Sequence, residues 1–349
     1  MEELDSDYKE IDKNYSDRWL FYLSDAIQNT LVPGKMYMIR LYFEEDSGFS
    51  MGVKSELGPI ENSYTLILTS GFLRYHFDML YLYLSDNAIF PGIGTSDKKV
   101  NCPPISINDY SRLENYMYGV ELPKFDEYRR EIHHFLFDMS IKLILWHECV
   151  HITRGHVGYS EDLSSNHVIL SKLDRQTLEM DADCMAIFYF HDELMKEYNT
   201  RALRLPQELY NEEFLRKCLT FVSFFVCFLS SPIKIKSIIE QQDRDYPCGT
   251  LRYNNQMSMI GNSYLISRMN SQFSDIVKCY FAVLRYFLDY YQYDENMRSA
   301  INMEIEIFTR SDEGVVYQKK LFTNFSRIKE KLVPFSIAAD YDLYASFIE

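Results

Sequence analysis

No stretch of this chain stays apolar for long enough to cross a bilayer. The most hydrophobic run, Cys218 to Leu229, falls short of a span even when Ser230 to Ile233 are added, and Thr220, Ser223 and Ser230 interrupt it. It reads as a buried core helix. Met1 to Glu10 contain neither the basic start nor the apolar centre of a secretory leader, so the expected location is the cytoplasm. Cysteine is scarce and shows no pairing pattern: the seven include no C-x-x-C, which argues for reduced thiols and against a disulfide framework. Positive charge is also short. With 36 Lys and Arg against 51 Asp and Glu, the net charge of −15 argues against a basic face for phosphates, and neither DNA nor RNA is expected as a partner. There is no G-x-x-x-x-G-K-[ST] loop, no G-x-S-x-G elbow, no repeat of solenoid length and no low-complexity segment.

What the chain has is material for a large core: 349 residues, 47% hydrophobic, with 28 Tyr and 24 Phe. One motif stands out within it. Leu145-Trp146-His147-Glu148-Cys149-Val150-His151 contains H-E-x-x-H, and the apolar residues before it (Phe135, Leu136, Met139, Ile141, Leu143, Ile144) repeat at helical spacing, with Gly155 as a stop. On a helix His147 and His151 are one turn apart on one face and can reach a single metal ion. Glu148 is turned about 100° away and reaches a water beside that ion, so it reads as a general base. A second helical pattern opens at Leu178, where Glu179 and Asp183 are again one turn apart. Catalytic zinc takes three protein ligands and leaves a place for water, which makes Glu179 the third ligand. Asp183 can accept the outer ring N–H of a ligand histidine. The expected chemistry is hydrolysis by a zinc-activated water, with zinc as cofactor and a protein or peptide as substrate.

H-E-x-x-H followed by E-x-x-A-D resembles the gluzincin metallopeptidases, in particular their HtpX/OMA-like branch and the Lit-type phage-exclusion peptidases. The likeness rests on His147, Glu148, His151, Glu179, Ala182 and Asp183 and covers residues 64 to 260 in outline. Tyr246-Pro247 to Arg252 is similar to the H-P-x-x-x-x-R segment of that branch, with Tyr in place of His. The resemblance implies a zincin fold, peptide-bond hydrolysis and a role in phage defence. A metzincin would need H-E-x-x-H-x-x-G-x-x-H, and Gly155 comes one place late while Val157 stands where the last His belongs.

The expected fold is α+β and mostly helical: a small N-terminal β-sheet packed on zincin-like active-site helices, followed by a helical C-terminal part. Three regions are expected: 1–123 with the sheet and a loop insertion, 124–270 with the catalytic helices, and 271–349 packing with the rest into one unit. Strands are read at Lys35 to Phe43, Ser50 to Lys54 and Tyr64 to Thr69, the last either as the edge that a substrate strand would join or as an ordinary core strand. Helices are read at 72–84, 124–154, from 178 to about 198, and at 207–230, 250–269, 272–292 and 296–309, after a short one through Trp19 to Ile27. The irregular segments 86–122 and 157–172 are expected to flank the cleft. Tyr159, Tyr246, Arg252 and Tyr253 are candidates for a group facing the oxyanion, with Arg252 also able to meet a substrate carboxylate or to serve as an ordinary salt-bridge arginine on its helix. Tyr159 and Arg252 are taken forward as catalytic candidates beside Glu148. His156 and His167 read as surface or supporting residues rather than ligands, and Cys149 and Cys184 as small buried fillers. The rival reading keeps the fold but makes the zinc structural, in a regulatory or interaction protein. A base beside the metal that is not a ligand has no use in such a site.

Overall fold

The computed structural model describes Trp19 and residues 38–44, 51–56, 63–100, 110–203, 205–229, 235–266, 278, 281–285 and 295–337. The expected helix through Trp19 to Ile27 and the one at 272–292 lie almost wholly outside these residues. Three strands, β1 (Met38–Glu44), β2 (Met51–Glu56) and β3 (Ser63–Thr69), precede a predominantly helical remainder, as an α+β, mostly helical chain requires. Their order is β1-β3-β2, with β1 parallel and β2 antiparallel to β3. β3 is therefore the central strand, and its residues alternate toward a buried face that includes Leu66 and Leu68. Of the two readings of 64–69, the core strand holds and the open edge does not. Both of its sides are already hydrogen-bonded, and the strand available at the cleft is β2.

β3 runs directly into α1 (Ser70–Leu84), whose first turn is capped by the Thr69 hydroxyl accepting from the Phe72 amide at 3.3 Å. After α2 (Tyr110–Gly119) comes α3 (Glu127–Thr153), started by the Asp126 carboxylate accepting from the Arg129 amide at 2.8 Å. α3 is buried for almost its whole length and packs against α1 and, most extensively, α5 (Lys172–Asn199). A helix buried on nearly every side, with Arg129, His133, Asp138 and Lys142 among its buried residues, belongs at the centre of a fold rather than on its surface. α4 (His156–Ser165), α6 (Glu212–Leu229), the short α7 (Ile238–Gln242), α8 (Gly249–Ile266), α9 (Glu295–Arg310) and α10 (Asp312–Leu332) complete the element order. α8 packs on α5, α6 and α9, and α10 packs on α5 and α9. The apolar run around Cys218 to Leu229 is α6, buried among Phe and Val side chains, and no described helix is long and apolar enough to cross a membrane.

Between α3 and α4 the chain reverses at Gly155, which has a φ of +79°. A Cβ there would stand 2.8 Å from the Leu332 oxygen, the Phe335 carbon and the Ser336 nitrogen. Only glycine meets both the left-handed backbone and the close approach of the C-terminal segment. That segment closes the end of α3: the Thr153 carbonyl accepts from the Ile337 amide and from the Ser336 hydroxyl, each at 2.8 Å.

Candidate metal centre

The site lies where the C-terminal end of α3 crosses the middle of α5. His147 is buried, and His151 and Glu179 are half-buried. His147 Nε2 stands 3.1 Å from His151 Nε2 and 3.3 Å from Glu179 Oε2, and His151 Nε2 is 3.6 Å from Glu179 Oε1. Two ring nitrogens and a carboxylate thus converge on one point and could hold a metal ion. The geometry can be tested against zinc: ligands about 2.0–2.1 Å from a tetrahedral ion lie roughly 3.3 Å apart. The imidazoles stand 3.1 Å apart and approach the two different Glu179 oxygens at 3.3 and 3.6 Å, with one ligand atom from each residue within 4.8 Å of the others, so the residue types and their spacing fit the ion.

Behind His147 the tautomer is set. Asp183 Oδ1 is 3.1 Å from His147 Nδ1 and can only accept, so in the neutral, metal-binding form of the ring the proton belongs on Nδ1 and the Nε2 lone pair faces the cluster. Asp183 is itself held by the guanidinium fork of Arg252, with Nε donating to Oδ2 at 2.8 Å and Nη2 to Oδ1 at 2.7 Å. Against burial, which opposes it, this cation and His147 keep the Asp183 carboxyl well below the usual carboxylate range. Against the same opposition, His151, His147 and Arg252 lower Glu179 to about 2. Burial also works against a charge on His147, yet the Asp183 and Glu179 carboxylates lift it to about 9, while burial holds His151 down to about 3.

Glu148 is outside the ligand group, partly exposed, and lines the cleft in front of the cluster. Burial, opposed by His147 and reinforced by Glu179, raises its carboxyl to about 7. The cleft has a volume of about 960 Å³ and is walled by Val53 of β2, Val157, Ser160 and Glu161 of α4, and the turn at His167 to Leu170. A second hollow over the cluster brings in Met51 and Gly52 of β2 together with Tyr246 and Arg252. β2 and α4 are tied by a hydrogen bond from the Ser55 hydroxyl to Glu161 Oε1. Tyr246 lines both hollows on a turn fastened to α5 through a pair of glutamines. Gln241 Nε2 donates to Gln176 Oε1 at 2.8 Å and to the Tyr246 carbonyl at 3.2 Å, and Gln176 Nε2 donates to the Arg244 carbonyl at 2.7 Å. The negative field of Glu179, together with burial, raises the Tyr246 hydroxyl above its ordinary value and keeps it a donor.

Several sequence-based expectations change here. Tyr159 is buried on the face of α4 turned to the C-terminal segment, its ring 6.3 Å from that of Phe335, and it does not line the cleft. It cannot serve the reacting carbonyl. Tyr253 is buried against Phe224 and is equally remote from the cleft. Arg252 is beside the cluster, but its fork is spent on Asp183, so it holds a supporting carboxylate rather than a substrate. His167, in a left-handed turn with φ +59°, stands exposed at the cleft rim and is not in the ligand group. The 157–172 segment does wall the cleft. The described part of 86–122 does not: it wraps the other end of α3, where the buried Arg129 donates to the carbonyls of Leu84 at 2.9 Å and Asp86 at 2.7 Å. The twenty residues from Arg129 to Cys149 put the two ends of the helix about 30 Å apart. Cys149 and Cys184 are fully buried with their thiols pushed well up by desolvation, as fillers would be.

His156 acquires a place that its spacing did not reveal. Its Nδ1 is 3.0 Å from Nδ1 of His151, and its Nε2 is 2.9 Å from Asp181 Oδ2. The turn at Gly155 that folds it back under His151 is the only local signal. Set against protein-family models, curated proteins and solved structures, the chain matches none of them.

Proposed function

We propose that this chain is a zinc-dependent peptidase of gluzincin type that cleaves proteins or peptides internally. The observation that carries the reading is the convergence of His147, His151 and Glu179 at metal-ligand spacing, with Glu148 beside them on an open cleft. Zinc, when bound, supplies a water of lowered pKa and a Lewis acid for the scissile carbonyl.

The chain's own groups supply the rest. Glu148 takes the proton of the attacking water and passes it to the leaving amine, roles open to a carboxylate that stands beside the ligand group and lines the cleft. Tyr246 donates its hydroxyl hydrogen to the oxygen that gains charge. Asp183, held by Arg252, fixes His147 with Nε2 facing inward. No described strand pairs with the outer edge of β2, and Met51, Gly52 and Val53 line the cleft, which supports binding of the substrate backbone along that strand. The defence role implied by the Lit-type resemblance has no further support from the site.

Elemental analysis of purified protein tests the metal half of this reading: it should find one zinc per chain in the wild type and a large loss in Glu179→Ala and His151→Ala. A folded wild type that takes up no zinc after reconstitution would contradict it.

A further inference from the structure

We propose that His156, Asp181 and Arg154 form a buried positioning relay that fixes the tautomer of the second metal ligand, His151. The inference rests on the metal centre proposed above and concerns residues behind it.

Proton placement decides what each ring nitrogen can do here. His151 Nε2 faces His147 Nε2 and Glu179, so as a ligand it must present a lone pair there, and its single ring proton must sit on Nδ1. That nitrogen is 3.0 Å from Nδ1 of His156. His156 must then accept at Nδ1 and carry its own proton on Nε2, which is 2.9 Å from Asp181 Oδ2. A carboxylate can only accept, so the chain of donors ends there with every proton assigned. Arg154 Nε donates to the same oxygen at 2.6 Å and holds the carboxylate in place. Arg154 lies 5.4 Å from the Phe325 ring centroid of α10, and Arg154 and Asp181 have no solvent exposure. Burial gives such bonds rigidity, since no water competes for them.

The two ligand histidines therefore receive different support. His147 is held directly by a carboxylate, and His151 is held by a carboxylate acting through a second imidazole. The outer imidazole is delivered by the Gly155 reversal, because His156 is the first residue of α4 and is folded back beside the end of α3.

Two readouts test this in the full-length protein. The first is two-bond 1H–15N correlation spectroscopy of the zinc-loaded wild type, which assigns ring protons to individual nitrogens. The expected result is His151 protonated on Nδ1 with Nε2 on the metal, and His156 protonated on Nε2. A His156 proton on Nδ1, or metal on His151 Nδ1, would overturn the relay. The second is zinc affinity by chelator competition. His156→Leu, which fills the space without an acceptor, should bind zinc roughly 10- to 100-fold more weakly, as loss of a ligand's supporting partner typically does. His156→Asn, which returns an oxygen at the δ position, should recover most of that loss. Leu binding zinc as tightly as wild type would overturn the relay and leave the metal centre standing, whereas a wild type without zinc would remove both. If the Leu variant does not fold, the wild-type spectrum decides alone.

Discussion

At the residue scale, Tyr246 separates from the other tyrosines by position: it alone of the three considered lines the space over the cluster. Tyr246→Phe removes one donor to the oxyanion and little else, so kcat should fall about 100- to 1,000-fold with a small change in KM. Steady-state kinetics on any cleaved peptide checks this. His147 makes a pH statement. Its metal-free value is raised from 6.5 to about 9, so the stability contributed by its proton is fully present below 6.5 and is lost as pH rises through about 9. Zinc needs the neutral ring, and uptake at pH 7.5 should release that proton, seen as buffer-dependent heats in calorimetric titration. The ligand residues were legible in the sequence because their geometry is local: i,i+4 pairs on helices put His147 with His151 and Glu179 with Asp183 whatever the rest of the chain does. Tyr159 was misjudged because its helical phase depends on where α4 begins; Arg252 makes the salt bridge that was one of its two readings, although a lone arginine does not announce which carboxylate it will meet.

At the scale of elements, the strands and α1, α3, α8 and α9 were legible to within a few residues from their periodicity; α5 and α6 were placed less closely, α2 and α4 fall in segments read as irregular, and α10 was not read as a helix. Their arrangement was not. Strand order is decided by which hydrogen-bonding edges meet in the folded chain, and inserting β3 between β1 and β2 transferred the open edge at the cleft from 64–69 to 51–56. The loop at 86–122 carried the composition of a cleft border, but the carbonyls gathered by Arg129 tie its beginning to the far end of α3. The Gly155 reversal is the joint on which α3, α4 and the C-terminal segment depend. Gly155→Ala meets both a positive φ and backbone atoms at 2.8 Å, so it should destabilise the protein by more than the ~1–2 kcal/mol of a left-handed alanine. Urea unfolding measures the loss. Detachment of 333–337, read as new protease sensitivity near Phe335, should accompany it, while an alanine variant of wild-type stability would mean that the segment yields easily.

At the scale of the whole molecule, the candidate metal centre joins the two most extensively packed helices, α3 and α5, so metal bound there would be linked to global stability. Zinc at about 100 times its Kd should add about 2.7 kcal/mol, so chelation should lower the Tm of wild type and leave that of Glu179→Ala almost unmoved. Catalysis makes the sharper demand, because it requires the base as well as the metal. The most direct measurement is mass spectrometry of new peptide termini after a proteome-derived peptide library is incubated with wild type and with Glu148→Gln, the zinc content of both being determined on the same samples. Gln keeps the shape of Glu148 but cannot take the water's proton. The expected result is equal zinc in the two proteins, with a set of cleavages by wild type that falls at least ~100-fold in the variant. The same cleavages at near wild-type rate from a zinc-loaded Glu148→Gln protein would contradict the account.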